Sequence, residues 1–262
     1  MKVIINADDF GKSLERNQAV DAAFKQGLIC SAGVIVTSKY LSDAIHLANE
    51  GGYLNKLHIH FNLSANLLHE NSDDTPLTDV MKNDPFFCRD GRFLESKGIP
   101  SRFSDIKKNK EVYRELVAQY YKFMEVTKGV ADYKHIDFHL WYNLSWLVCI
   151  PLRLFVRKFK IESVRYWGIH QMGSRRFKMF RILSNNPRVT YIPATNIDYF
   201  LTKKQALSHY RIIELYCHPN YKEGVFLDDS PSYLKHERQP MLTQFRGLKE
   251  IGDIEFVSWE NY

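Results

Sequence analysis

The sequence lacks most of the features that place a protein at a glance. Its 262 residues include four cysteines, Cys30, Cys88, Cys149 and Cys217, with no CxxC spacing among them. They imply neither a disulfide framework nor a cysteine-held zinc, and read most simply as thiols in a reducing compartment. No apolar run is long enough for a membrane span or a signal peptide, so a soluble, cytoplasmic protein without membrane contact is expected. There is no internal repeat, linker or domain boundary. Positive charge is in modest excess, 36 Lys and Arg against 30 Asp and Glu. It is spread over local clusters such as Lys107-Lys108-Asn109-Lys110, Arg153 to Lys160 and Arg175-Arg176-Phe177-Lys178. With no nucleic-acid module and no single basic face, nucleic acid is not an expected partner.

What is present is alternation. Short apolar runs at Val3–Ile5, Ile29–Thr37, Lys56–Ser64, Tyr133–Phe138, Glu162–Tyr166, Val189–Ile192, Ile212–Cys217 and Ile254–Val257 read as strands. Segments with helical spacing separate them. The first helix follows a Ser13 cap, carries Leu14, Ala19, Val20, Ala23 and Phe24, and ends at Gly27. Others are expected over 41–49, 105–128, 145–158 (despite Pro151), 175–183, 203–209 and 231–249. About eight strands alternating with helices is the pattern of a parallel sheet, most economically closed as a TIM-like (β/α) barrel, and the length suits one domain. The periodicity stops from Ala65 to Phe103, an irregular insertion long enough to suggest a lid.

Chemistry collects at predicted strand ends. The opening run turns abruptly into Asn6, Asp8, Asp9, Phe10 and Gly11. Adjacent carboxylates repel unless a cation or proton sits between them, although taken alone such a pair reads more simply as a strand exit running into an Asp-rich helix start. His58 and His60 lie on the third strand, His135, Asp137 and His139 on or beside the fourth, and His218 follows the seventh. In a parallel barrel these ends share one mouth. Asp8 or Asp9 with two histidines would make an open divalent-metal site of oxygen and nitrogen ligands. His58, on the same strand face as His60, is either a bystander or a partner to it.

The runs N-A-D-D-F-G at the N-terminus, H-F-N-L at His60, H-I-D-F-H at His135–His139 and C-H-P at His218 resemble, in order and along the whole chain, the YdjC/ChbG-type carbohydrate deacetylases. The resemblance implies a distorted (β/α) barrel that uses one divalent ion, Mg or Zn, to remove an acetyl group from an N-acetylated mono- or oligosaccharide. Carried over, Asp9, His60 and His139 are metal ligands, Asp8 is the general base and His218 the general acid. Asn62, Trp141 and Arg165 are expected to touch substrate, and Asp137 to orient a ligand imidazole. The resemblance also suggests a homodimer. The chain departs from the family at Trp141 and Asn143, where members usually carry further histidines, and in the loop Asn220-Tyr221-Lys222-Glu223-Gly224. Those departures keep two other readings open: a catalytically silent sugar-binding relative, and a metal-dependent hydrolase of another bond in a sugar derivative.

Overall fold

The first strand, β1 (Lys2–Phe10), is hydrogen-bonded along both edges, and the rest of the sheet closes around it. A computed structural model describes residues 1–65, 74–94, 106–131, 134–139, 146–167, 189–230 and 240–259. After β1 come α1 (Leu14–Lys25), β2 (Ser31–Val34), α2 (Leu41–Glu50) and β3 (Leu57–Phe61). Next are α3 (Asp79–Lys82), the strand pair β4 (Cys88–Arg89) and β5 (Arg92–Phe93), and the long helix α4 (Ile106–Val126). Then follow β6 (His135–Phe138), α5 (Trp146–Phe159), β7 (Ser163–Trp167), β8 (Thr190–Asn196), α6 (Ile197–Leu207) and β9 (Ile212–Cys217). The chain finishes with β10 (Pro219–Lys222), β11 (Val225–Asp228), α7 (Met241–Lys249) and β12 (Glu255–Phe256).

Strands β1, β2, β3, β6, β7, β8 and β9 run parallel in that order, and pairing of β9 with β1 closes them into a seven-stranded barrel. The eighth expected strand does not enter the ring. β12 pairs only with Lys2 and Val3, at the start of β1 below the stretch that β2 covers. Val3, Ile5 and Ala7 pack outward into the large core shared with the helices. Ile4, Ile192, Ile212 and Val257 form a separate apolar floor. Above that floor the residues Asn6, His58, His135, Asp137, Arg165 and Glu214 are all buried.

Two local features aim the site. The register of β1 on β2 slips between Ala7 and Phe10, three residues facing two, and Asp9 sits in this bulge at φ +65°. Strict alternation would send Asp8 and Asp9 to opposite faces. The bulge and the left-handed backbone re-aim the chain so that both carboxylates are buried, 1% and 2% exposed. Gly33 supplies the second feature. A Cβ there would lie 3.1 Å from His60 Cβ and 3.2 Å from both His58 Nε2 and His60 Nδ1, so only glycine leaves the two rings their room.

Other expectations shift. Ser13 caps α1 and Gly27 ends it at φ +66°, but Leu14 is exposed while Arg16, Asn17 and Asp21 are buried. Ala19, Val20 and Ala23 pack inward as expected, and the polar residues buried beside them tie loops together. Asn17 accepts from the Gly11 N–H at 2.7 Å and donates to Asp43 at 2.8 Å, and Arg16 donates to the Pro219 carbonyl at 3.3 Å. The irregular insertion is structured where it is described. Residues 74–94 hold α3 and the β4–β5 hairpin, and Glu115 of α4 accepts from the Leu77 and Thr78 N–H groups, both at 2.9 Å. Helix α6 starts at Ile197, ahead of the expected Lys203, because Asn196 caps it by accepting from the Tyr199 N–H at 2.7 Å. The expected helix over 175–183, and residues 231–239 of the last one, lie outside the described residues. Among the described residues no helix is long and apolar enough to cross a membrane.

Candidate metal centre and its flanking acid and base

Asp9, His60 and His139 come from the ends of three strands and offer ligand atoms that all lie within 4.8 Å of one another. Asp9 Oδ1 is 2.6 Å from His139 Nδ1 and 3.3 Å from His60 Nε2. Burial raises the pKa of Asp9, but His139 and His60 outweigh it and hold the carboxyl well below the usual range. Burial pulls His139 down, so its imidazole stays neutral with a lone pair available. Its Nε2 is buried and has no partner among the described residues.

The charge balance of the barrel interior fits a cation. Among the described residues Asp8, Asp9, Asp137 and Glu214 bring four carboxyl groups inside against one guanidinium, that of Arg165. Buried charge is tolerated only when paired. The surplus acts on His60: burial lowers its pKa, yet Asp137 and Asp8 push it up to about 10. A divalent ion in the cluster would neutralise the same surplus of negative charge. Asp9, His60 and His139, an oxygen and two nitrogens with a deprotonated carboxylate among them, suit a divalent metal ion.

Asp137 holds His60 in place. The two residues are register partners on β3 and β6, and Asp137 Oδ1 accepts from His60 Nδ1 at 2.6 Å, which turns Nε2 toward Asp9. His58 Nε2 lies 3.2 Å from Asp137 Oδ2, so His58 is a partner of the centre, not a bystander. Arg165 also reaches Asp137 Oδ2, at 2.7 Å.

Asp8 stands beside this cluster. Its Oδ1 accepts from Asn6 Nδ2 at 2.8 Å and Arg165 Nη2 at 2.7 Å, and its Oδ2 accepts from Arg165 Nη1 at 2.6 Å. One lone pair of Oδ2 is left over, and His218 Nε2 lies 3.9 Å away. His218 is held by the β10–β11 hairpin, whose turn at Glu223 and Gly224 has φ of +52° and +77°. The hairpin returns Asp228 opposite Pro219, and Asp228 Oδ1 accepts from the His218 N–H at 2.8 Å and from Ser230 Oγ at 2.6 Å. With the Ser230 proton committed to Asp228, Ser230 Oγ accepts from His218 Nδ1 at 2.9 Å. A second proton on the ring therefore resides on Nε2, facing Asp8.

The remaining expected residues fall less simply. Arg165 is fully buried, and its guanidinium is shared among Asp8, Asp137 and Glu214, so it braces the site from below. Asn62 is also fully buried: its Nδ2 donates to Thr37 Oγ1 and Asp74 Oδ2, both at 3.1 Å, and Lys12 pairs with the same Asp74 oxygen. Trp141, Tyr142 and Asn143 lie outside the described residues. The sequence reading missed Glu214, Asp228 and Ser230. The Glu-Gly turn between two short alternating runs was the available signal for the last two.

A parallel barrel whose strand ends gather an Asp-His-His cluster, with a second carboxylate and a histidine alongside, defines a class of candidate metal-dependent hydrolases. The chain belongs to the YdjC-like family, whose model matches residues 2–247. Among curated relatives, "Carbohydrate deacetylase 2" of Listeria innocua is 25% identical over 270 residues, covering 100% of this chain and 98% of that protein. "Carbohydrate deacetylase" of Brevibacillus brevis is 28% identical, covering 90% of this chain and 87% of its own. "Chitooligosaccharide deacetylase" of Klebsiella pneumoniae is 24% identical, covering 92% and 90%. A crystal structure from Enterococcus faecalis, described as a candidate cellobiose-phosphate cleavage protein, shares the fold with a TM-score of 0.67 at 20% identity, over 85% of this chain and 82% of that one.

Proposed function

We propose that this protein is a metal-dependent deacetylase that hydrolyses the N-acetyl group of an N-acetylated mono- or oligosaccharide, working in the cytoplasm with one Mg²⁺ or Zn²⁺ ion. The observation that carries the reading is the juxtaposition of the buried Asp9-His60-His139 cluster with Asp8 and His218, whose Oδ2 and Nε2 lie 3.9 Å apart. Family membership and the names of the relatives give the substrate class.

Asp9, His60 and His139 would hold the ion, which supplies Lewis acidity toward the amide carbonyl and lowers the pKa of water to about 7. The chain's own groups divide the proton work. Asp8 Oδ2 takes a proton from the attacking water, while Arg165 and Asn6 fix the carboxylate's plane. The leaving nitrogen departs as an amine only when protonated, and His218 Nε2 is placed to give that proton, with Nδ1 anchored on Ser230. Two groups with opposite proton duties on one side of the cluster suit amide hydrolysis better than saccharide binding alone. Screening the metal-loaded protein for acetate release from a panel of N-acetyl sugars, with Asp9→Ala and His139→Ala as controls, tests the reading. Turnover by wild type and none by the variants supports it; no release from any sugar refutes it.

A further inference from the structure

The two halves of the site, the ligand His60 and the base Asp8, meet again beneath it on one hydroxyl. Ser31 Oγ lies 2.6 Å from Asn6 Oδ1 and 3.1 Å from His58 Nδ1, and it accepts from Trp259 Nε1 at 2.9 Å. Asn6 gives its amide protons toward Asp8, so its Oδ1 is an acceptor and takes the Ser31 proton. From Ser31 one path runs through Asn6 to Asp8. The other runs through His58 to Asp137 and on to His60.

Trp259 comes from the C-terminal end of the chain, just beyond β12. Its ring packs against the apolar floor and stacks on His135 with centroids 3.6 Å apart and planes 20° apart. Ser31 is fully buried, so the indole N–H is the donor that fixes its lone pairs from below. Residues at the foot of a parallel barrel ordinarily serve stability. Here the foot is wired to both functional groups.

We propose that Trp259 and Ser31 form a positioning hub that sets the orientation of the metal ligand His60 and of the base Asp8 together, from the end of the barrel opposite the substrate mouth. The proposal rests on the deacetylase reading for Asp8 but on metal binding alone for His60. Removing groups that orient metal ligands costs about 10- to 100-fold in affinity or activity.

Trp259→Phe keeps a ring over His135 and deletes the N–H; Ser31→Ala deletes the hub itself. Zn²⁺ affinity is measured by competition with a chromophoric chelator, alongside thermal unfolding of the metal-free proteins and kcat and KM for the N-acetyl sugar that wild type turns over. The hub predicts Zn²⁺ affinity weakened about tenfold or more in each variant, kcat reduced, KM within twofold of wild type, and a double variant no worse than Ser31→Ala. Zn²⁺ affinity within twofold of wild type in both variants overturns it, even where the melting temperature falls, because that is the pattern of a purely structural foot. Should wild type bind Zn²⁺ yet release no acetate, the deacetylase reading fails, and the affinities still decide the hub. Should Trp259→Phe not fold, Ser31→Ala decides it alone.

Discussion

Arg165 and Asp8 meet through two parallel hydrogen bonds, Nη1 to Oδ2 at 2.6 Å and Nη2 to Oδ1 at 2.7 Å, both side chains sealed from solvent. The same guanidinium also reaches Asp137, which accepts from His60, and Glu214, so a single cation ties Asp8 to the Asp9-His60-His139 cluster. Lysine carries the charge but not the fork. Arg165→Lys is expected to lower acetate release about 100-fold with metal binding retained. Arg165→Met strands three carboxyl groups and should destabilise by roughly 3–5 kcal/mol, read in urea unfolding.

The room left by Gly33 gives a second prediction. Alanine there places a methyl 3.1–3.2 Å from atoms of His60 and His58, both of which are hydrogen-bonded to Asp137. Gly33→Ala should cost about 1–3 kcal/mol of stability and weaken metal binding. Calorimetric melting with and without the ion separates the two effects. An unperturbed variant would show that the rings are looser than the distances imply.

The hydroxyl of Ser230 orients His218 without touching the metal cluster. Ser230→Ala should lower kcat about tenfold, and His218→Ala by about 10²- to 10⁴-fold, both with unchanged metal stoichiometry. Metal content and turnover measured on the same preparations check this. Loss of the ion in either variant would argue that His218 belongs to the cluster instead.

The thiols give a pH prediction. Burial pushes Cys30 up to about 11 and Cys88 and Cys149 each up to about 12, and it raises Cys217 well above the ordinary thiol value. A group whose pKa is raised on folding stays protonated well above its ordinary value, and only the thiolate reacts. The native protein should therefore show no fast-reacting thiol at pH 8–9, while denatured protein reacts with four equivalents of a disulfide reagent. One rapid equivalent in the native state would contradict the burial of these groups.

Much of this was legible in the sequence, and the exceptions share a cause. The alternation of strands with helices and its closure as a barrel followed from the apolar runs, and the gathering of Asp8, Asp9, His60 and His139 at strand ends from the polar residues there, while the choice of Asp9, His60 and His139 as one set came only from the family resemblance. Yet no pattern could show that Asp8 and Asp9 share a face, because period-two alternation forbids it and only a bulge with a positive φ allows it. Arg165 was expected to touch substrate on the strength of the resemblance, and its partners Asp8, Asp137 and Glu214, 157, 28 and 49 residues away in sequence, become visible only in the fold. The hairpin that holds His218 was hidden by its brevity. On α1 the expected Ala19, Val20 and Ala23 are buried, but Leu14 is exposed and Arg16 and Asn17 join the inner face, where their hydrogen bonds to loops offset the cost of burying them.

The most direct test is acetate release from N-acetyl sugars by protein stripped with a chelator and then reloaded with Zn²⁺ or Mg²⁺, run beside Asp9→Ala. The account predicts loss of release on stripping, recovery on reloading, and neither binding nor recovery in the variant. Release that survives stripping, or that persists in Asp9→Ala, would contradict it.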